Sequence, residues 1–268
     1  MFITIIADSK RHDLVAERLT RDGHSVTVYR NFNSLPEQIN GDIVILPIPS
    51  FTNNGILNLS GTPDTVNKEI LFNRISNDSF IICCNSIPEG RRYIDINRYE
   101  PFVSMNAVPS AEGAIALAME NSDITLFKSR ALVIGYGRIG KLIAERLKGF
   151  LSSVTVTARK EKDRFAAESQ GFRSIDFDGL DKTLSEFDFI FQTVPYPVLT
   201  RERIDHIKGL LIEISSKGLG TDMAYAKERG IDFIYAPGIP EKYSNKSAGI
   251  ILYDSIKSII TELKEEFT

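Results

Sequence analysis

The sequence predicts an α/β protein made of two doubly wound parallel-sheet domains in series, with a C-terminal helix returning to the first. Short β-branched apolar runs alternate with longer segments of helical period, the pattern of a parallel sheet covered by helices. The alternation runs through two successive series, and the final amphipathic segment has no strand after it. At 268 residues, 43% hydrophobic and 25% charged, the chain can bury two cores and is neither disordered nor fibrous in composition.

The first series opens with a strand at Phe2–Ala7 and a helix from about Arg11 to Arg21, whose Leu14, Val15, Arg18 and Leu19 recur at helical spacing. Strands follow at Ser25–Tyr29, Asp42–Leu46, Phe80–Cys84 and Phe102–Met105, forming a unit of flavodoxin-like strand order. Pro109 and Ser110 precede a helix from Ala111 to about Glu120; Ser110 reads as its N-cap, and Glu112 falls in the first turn, where the helix dipole favours an acid. The second series has strands at Ala131–Ile134, Ser153–Thr157, Phe189–Gln192, Leu210–Ile214 and Asp232–Tyr235. The last helix, about Ser247 to Glu265, presents Ile250, Ile251, Ile256, Ile259, Ile260 and Leu263. The expected division is a substrate domain at 1–122, completed by a helix within 244–268, and a nucleotide-binding domain at 123–243.

Charge and composition narrow the function. A net charge of −3 leaves no surplus cation to neutralise a phosphate backbone, so nucleic acid is not an expected partner. Apolar runs stay below the ~18 residues that span a bilayer, and the N-terminus lacks a secretory signal, so a cytoplasmic location and no membrane partner are expected. Cys83 and Cys84 are adjacent at the end of an apolar strand and read as buried free thiols. No cluster of metal-ligating residues is visible, and a homo-oligomer is compatible with a sequence that does not fix the oligomeric state.

Chemistry enters at Gly135-Tyr136-Gly137-Arg138-Ile139-Gly140, which lies between a strand and a helix and is followed by a second strand. That context makes it the dinucleotide-binding fingerprint of a Rossmann-like domain. Gly135 serves the tight turn, Gly137 the backbone's approach to the pyrophosphate, and Gly140 the packing of helix on strand, while the helix N-terminus offers N–H groups to phosphate. The next strand ends in Arg159 and Lys160, where an NAD site normally carries an acid on the ribose 2′-hydroxyl. Two cations there favour the 2′-phosphate of NADP. The next two strands end in Thr193-Val194-Pro195-Tyr196-Pro197 and Ser215-Ser216-Lys217-Gly218, turns that should face the nicotinamide half, while Lys217 is suited either to a substrate carboxylate or to solvent.

At Met105-Asn106-Ala107-Val108-Pro109-Ser110-Ala111-Glu112-Gly113-Ala114-Ile115 the sequence resembles the family of dipicolinate synthase alpha chains. The likeness continues through Ile45-Leu46-Pro47, the glycine loop, Ala158-Arg159, Thr193-Val194-Pro195, Gly220-Thr221-Asp222, Ala236-Pro237-Gly238-Ile239-Pro240 and Ser247-Ala248-Gly249. Departures lie at 217–222, at Glu241 in place of a usual glycine, and at 244–249. The resemblance implies an NADP-linked oxidoreductase of sporulating bacteria, working in the mother cell with a flavoprotein-like beta chain. Its substrate is a small dicarboxylate, a dihydrodipicolinate precursor, which loses water, transfers a hydride to NADP⁺ and releases a proton to give pyridine-2,6-dicarboxylate. Asn106, Ser110, Glu112 and Lys217 are then candidates for orienting the ring, moving a proton or binding a carboxylate, in a cleft expected between the domains.

Two alternatives stand beside this. A 2-hydroxyacid dehydrogenase would share the architecture, yet it needs a proton-transferring histidine late in the cofactor domain, and His12, His24 and His206 do not supply one. A noncatalytic regulatory protein that binds NADP is the other.

Overall fold

The structure, a computed structural model, describes residues 1–7, 9–52, 54–63, 67–84, 90–215 and 220–265. It divides into two compact units, Met1–Asn106 with Asn245–Thr268, and Ala107–Ser244.

In the first unit the order is β1 (Phe2–Ile6), α1 (Lys10–Arg21), β2 (Ser25–Tyr29), β3 (Ile43–Ile45), α2 (Lys68–Arg74), β4 (Phe80–Cys83) and β5 (Tyr93–Asp95). The strands form one parallel sheet ordered β2-β1-β3-β4-β5, the flavodoxin-like order expected from the sequence. Both faces are covered. Ile3, Ile5, Ile43 and Ile45 pack with Val15 and Leu19 of α1, while Ile6, Val44 and Leu46 pack with Leu71 and Phe72 of α2. This two-sided burial explains why the strands read as continuous apolar runs. Cys83 and Cys84 are buried free thiols, as expected.

A long helix, α3 (Glu100–Glu120), carries the chain into the second unit. There follow β6 (Arg130–Ile134), α4 (Arg138–Gly149), β7 (Ser153–Thr157), α5 (Glu161–Ser169), β8 (Arg173–Ile175), α6 (Leu180–Thr183), β9 (Phe189–Gln192), α7 (Arg201–Ile204), β10 (Leu210–Glu213), α8 (Met223–Glu228) and β11 (Phe233–Tyr235). The parallel sheet runs β11-β10-β9-β6-β7-β8, the Rossmann order, with the reversal between β6 and β9. Ala131, Val133, Phe189 and Phe191 face Ile143 and Leu147 of α4 and Ala111, Ala114 and Ala118 of α3; Leu132, Ile134 and Ile190 face the other side. The final helix, α9 (Ile239–Glu265), is interrupted at Ser244 (φ −144°, ψ 46°). Its later part gives Leu252, Ile256, Ile259 and Ile260 to the β1 side of the first core.

Several expectations need correction. Phe102–Met105 is not a strand but an early turn of α3, and Pro109 lies inside that helix, so Ser110 is an interior residue and not an N-cap. Glu112 is correspondingly far from the first turn. A four-residue apolar run has no period by which to tell strand from helix, and Pro109 mimics a helix start. The buried Phe102, Ala107, Ala111, Ala114, Ile115 and Ala118 recur at helical spacing across the proline, and that packing outweighs the local signal. The division between the two units falls within α3, after Asn106. The α3 segment is long and apolar enough to cross a membrane by length and composition alone; 56% of its most apolar stretch is buried in the protein, as in a core helix. The short strands β5 and β8 were not anticipated.

Candidate functional site

Within the second unit, a cavity of about 340 Å³ opens at the carboxyl ends of β6, β7 and β9, beside the strand-order reversal. Open α/β sheets bind ligands at this position. One wall is the glycine loop. Gly135 has φ +99°, a left-handed conformation, and its N–H donates to the Thr157 carbonyl at 2.7 Å. A Cβ on Gly135 would meet Val194 Cγ2 at 2.5 Å and Thr193 Oγ1 at 2.6 Å. A Cβ on Gly140 would meet the Gly135 carbonyl oxygen at 2.1 Å, so α4 approaches the loop as closely as a glycine allows. Gly137 is different: it caps α4 with φ −83°, and a Cβ there meets nothing within 4 Å. Tyr136 lines the cavity and is fixed edge-to-face against Phe172, ring centroids 6.3 Å apart.

The second wall begins where β7 ends. Arg159 and Lys160 line the cavity and are exposed. The turn that carries them is braced by Arg164, whose Nη1 donates to the Ala158 carbonyl at 2.9 Å and to the Arg159 carbonyl at 3.1 Å. Asp163, in the first turn of α5, lines the same wall.

The third wall is the turn after β9. Thr193, Val194 and Pro195 line the cavity, and Thr193 Oγ1 donates to the Ile134 carbonyl at 2.8 Å, tying this turn to the glycine strand. The expected cofactor residues Gly135, Tyr136, Gly137, Arg159, Lys160, Thr193, Val194 and Pro195 thus converge. Arg138 and Ile139 open α4 behind the loop, Gly140 acts through packing, and none of the three forms the cavity wall. Ser215 is buried beyond the wall, just past β10. Ala158 and Tyr196, in the two turns already expected at the cofactor, also line the cavity, as do Asp163 and Phe177, which the sequence missed. The strand that would have pointed to Phe177 was unread, and Asp163 reads as an ordinary first-turn acid.

The residues expected on the substrate side are spread along α3 and beyond it. Asn106 is half-buried and ends the first unit; Ser110 is 6% exposed inside the helix. Glu112 is largely exposed and pairs with Arg146 of α4, Oε1 to Nη2 3.0 Å. Lys217 lies outside the described residues. His12 is buried in α1, with Nδ1 3.3 Å from Ser9 Oγ, and His206 is exposed after α7.

Two buried polar side chains were not anticipated. Gln192 and Glu213 end β9 and β10, are register partners, and are both 0% exposed. Burial pushes the Glu213 carboxyl above the usual carboxylate range, although hydrogen bonds from Ser215 and Thr221 pull the other way.

Comparison with known proteins agrees with this geometry. Residues 111–208 match the family described as D-isomer specific 2-hydroxyacid dehydrogenase, NAD binding domain. The chain is therefore dehydrogenase-like, with a nucleotide-binding domain suited to NAD or NADP. The chain is 22% identical to a crystal structure of the dipicolinate synthase alpha chain from Bacillus halodurans, with a TM-score of 0.84, covering 96% of this chain and 97% of that one. The apo-structure of D-lactate dehydrogenase from Escherichia coli shares the fold at 16% identity and a TM-score of 0.69, covering 99% and 98%. The corresponding dipicolinate synthase chain of Bacillus subtilis (strain 168) is 26% identical over 258 residues, 91% of this chain and 86% of the relative. Over nearly its whole length, then, the chain resembles the alpha chain of dipicolinate synthase, as its sequence motifs indicate.

Proposed function

We propose that the chain is an NADP-dependent oxidoreductase that converts a dihydrodipicolinate precursor to pyridine-2,6-dicarboxylate. The observation that carries the cofactor choice is the cation pair Arg159 and Lys160 on the cavity wall, where NAD sites present an acid. Gly137, with open space where a side chain would project, admits a pyrophosphate at the N-terminus of α4. Thr193, Val194 and Pro195 bound the nicotinamide side. When bound, NADP⁺ supplies the hydride acceptor. Aromatisation of the ring makes the oxidation favourable, and the protein has to orient that ring and exclude water.

Asn106, Ser110, Glu112 and Lys217 are assigned to the substrate side. Lys217 pairs with a carboxylate of the dicarboxylate, while Glu112 moves a proton or orients a neighbour, since two like charges in one site repel. A flavoprotein-like beta chain is the partner, in the cytoplasm of the mother cell of a sporulating bacterium. The similarity to a protein named as one component of a multi-chain synthase supports a partner chain.

The test is reduction of NADP⁺ by the purified chain with the dihydrodipicolinate precursor, with and without the beta chain. Turnover in either case supports the reading; binding without turnover in both indicates a regulatory protein. The match of residues 111–208 favours trying 2-hydroxy acids in the same assay. Their oxidation would point to a 2-hydroxyacid dehydrogenase instead.

A further inference from the structure

At the carboxyl edge of the second sheet, Gln192 and Glu213 form a buried polar pair within apolar strands, Phe-Ile-Phe-Gln and Leu-Leu-Ile-Glu. Each side chain serves the backbone around it. Gln192 Oε1 accepts from the Val194 N–H at 2.8 Å, and its Nε2 donates to the Gly220 carbonyl at 3.1 Å. Glu213 accepts from the Ser215 N–H at 2.9 Å and from the Thr221 hydroxyl at 2.6 Å. The Gly220 carbonyl also receives the N–H groups of Val198 and Leu199, at 3.1 and 3.0 Å. A Cβ on Gly220 would meet Gln192 Cδ at 2.6 Å, so glycine is required at this crossing.

A buried carboxylate with two donors is a costly way to fill a sheet edge that leucine could fill. What it does here is specify backbone position on both sides of the Thr193–Tyr196 turn, and that turn forms a cavity wall. We infer that Gln192 and Glu213 are positioning residues of the dinucleotide site, holding Val194 and the Ser215 and Gly220–Thr221 backbone in one register so that the turn after β9 meets the nicotinamide half. The inference rests on the cofactor reading proposed above and names residues it does not use.

Calorimetric titration of the full chain tests it. The ligands are whichever of NADP⁺ and NAD⁺ the parent binds more tightly, together with that dinucleotide's adenine half, adenosine 2′,5′-bisphosphate or ADP. Gln192→Leu and Glu213→Leu should weaken the dinucleotide about tenfold or more while leaving the adenine half within about twofold, because β7 and the glycine loop are untouched. Glu213→Gln keeps an acceptor for Ser215 and can donate to the Thr221 oxygen, so it should restore dinucleotide binding to within about threefold of the parent. Equal weakening of both ligands, or unchanged dinucleotide binding in a folded leucine variant, overturns the inference. So does loss of cooperative unfolding in all three variants, which would make the pair structural alone. A parent that binds neither dinucleotide instead overturns the cofactor reading itself.

Discussion

Adding one methyl group at two glycines only three residues apart should have opposite effects. At Gly140 the new Cβ would lie 2.1 Å from the Gly135 carbonyl oxygen, a backbone atom that cannot rotate away. Contact distance for such a pair is over 3 Å, so α4 or the loop must move by about an ångström; overpacking of this kind costs about 1–3 kcal/mol. For a unit of this size that lowers Tm by roughly 3–10 °C. At Gly137 the new Cβ meets nothing within 4 Å, and φ −83° suits any residue. Alanine is a poorer N-cap than glycine but stiffens the unfolded chain, and these effects nearly cancel at about 0.5–1 kcal/mol each. Gly137→Ala should therefore unfold cooperatively at nearly the parental Tm. Its methyl group would instead occupy the space the pyrophosphate needs. Thermal unfolding with and without NADP⁺ is the assay. A ligand at a hundredfold over its Kd stabilises by about 2.7 kcal/mol, and Gly137→Ala should lose that gain. If Gly137→Ala unfolds outright, or keeps the full stabilisation, the loop has been misassigned.

Arg159→Ala should weaken NADP⁺ by about 1.5–3 kcal/mol, tenfold to a hundredfold, and spare NAD⁺; equal weakening of both, or tighter NAD⁺ binding by the parent, rules out the 2′-phosphate contact. Glu112→Gln removes an exposed ion pair with Arg146 that contributes at most about 1 kcal/mol, so the fold should persist while turnover falls more than apparent affinity. Unaltered steady-state kinetics with the beta chain present would remove Glu112 from the substrate side. The raised Glu213 carboxyl holds its proton more tightly folded than unfolded, so its contribution to stability is present in acid and lost as pH rises past 4.5. The Tm advantage of Glu213→Gln over the parent should accordingly grow as pH rises above 4.5, and an advantage independent of pH would contradict the assignment.

The elements that the sequence made legible are those with long periodic signals. The alternation of Phe2–Ile6, Ser25–Tyr29, Ser153–Thr157 and Phe189–Gln192 with helical segments gave both sheets, because buried parallel strands admit little besides apolar residues. The glycine loop was legible because backbone conformation and close approach leave no alternative at Gly135 and Gly140. Tyr93–Asp95 and Arg173–Ile175 were not, since three-residue edge strands with exposed ends carry almost no period. Pro109 misled because local chemistry at that point mimics a helix start, whereas the helix is set by distant packing such as Ile239 against Gly113, where a Cβ would fall 2.2 Å from Ile239 Cγ2. For the site, Gln192 and Glu213 left a readable trace, a polar residue closing an apolar strand, whose meaning depends on partners far along the chain.

The discontinuity of the first unit dictates an order of events during synthesis. A ribosome adds residues at about 5–20 per second, and domains fold as units once their chain has emerged. Residues 107–244 form one uninterrupted stretch and can fold as soon as they are out. The N-terminal sheet, although made earlier, must wait: Leu252, Ile256, Ile259 and Ile260 pack with Ile3, Ile5 and Val15, and they emerge only after the second unit. Until then α1 alone packs on the β1 face, and the part that the last helix covers stays an exposed apolar surface, the kind that recruits chaperones or aggregates. A stop codon before residue 250 should thus unfold the beginning of the protein and leave the middle intact, which limited proteolysis of such a truncation would display as a protected fragment spanning 107–244.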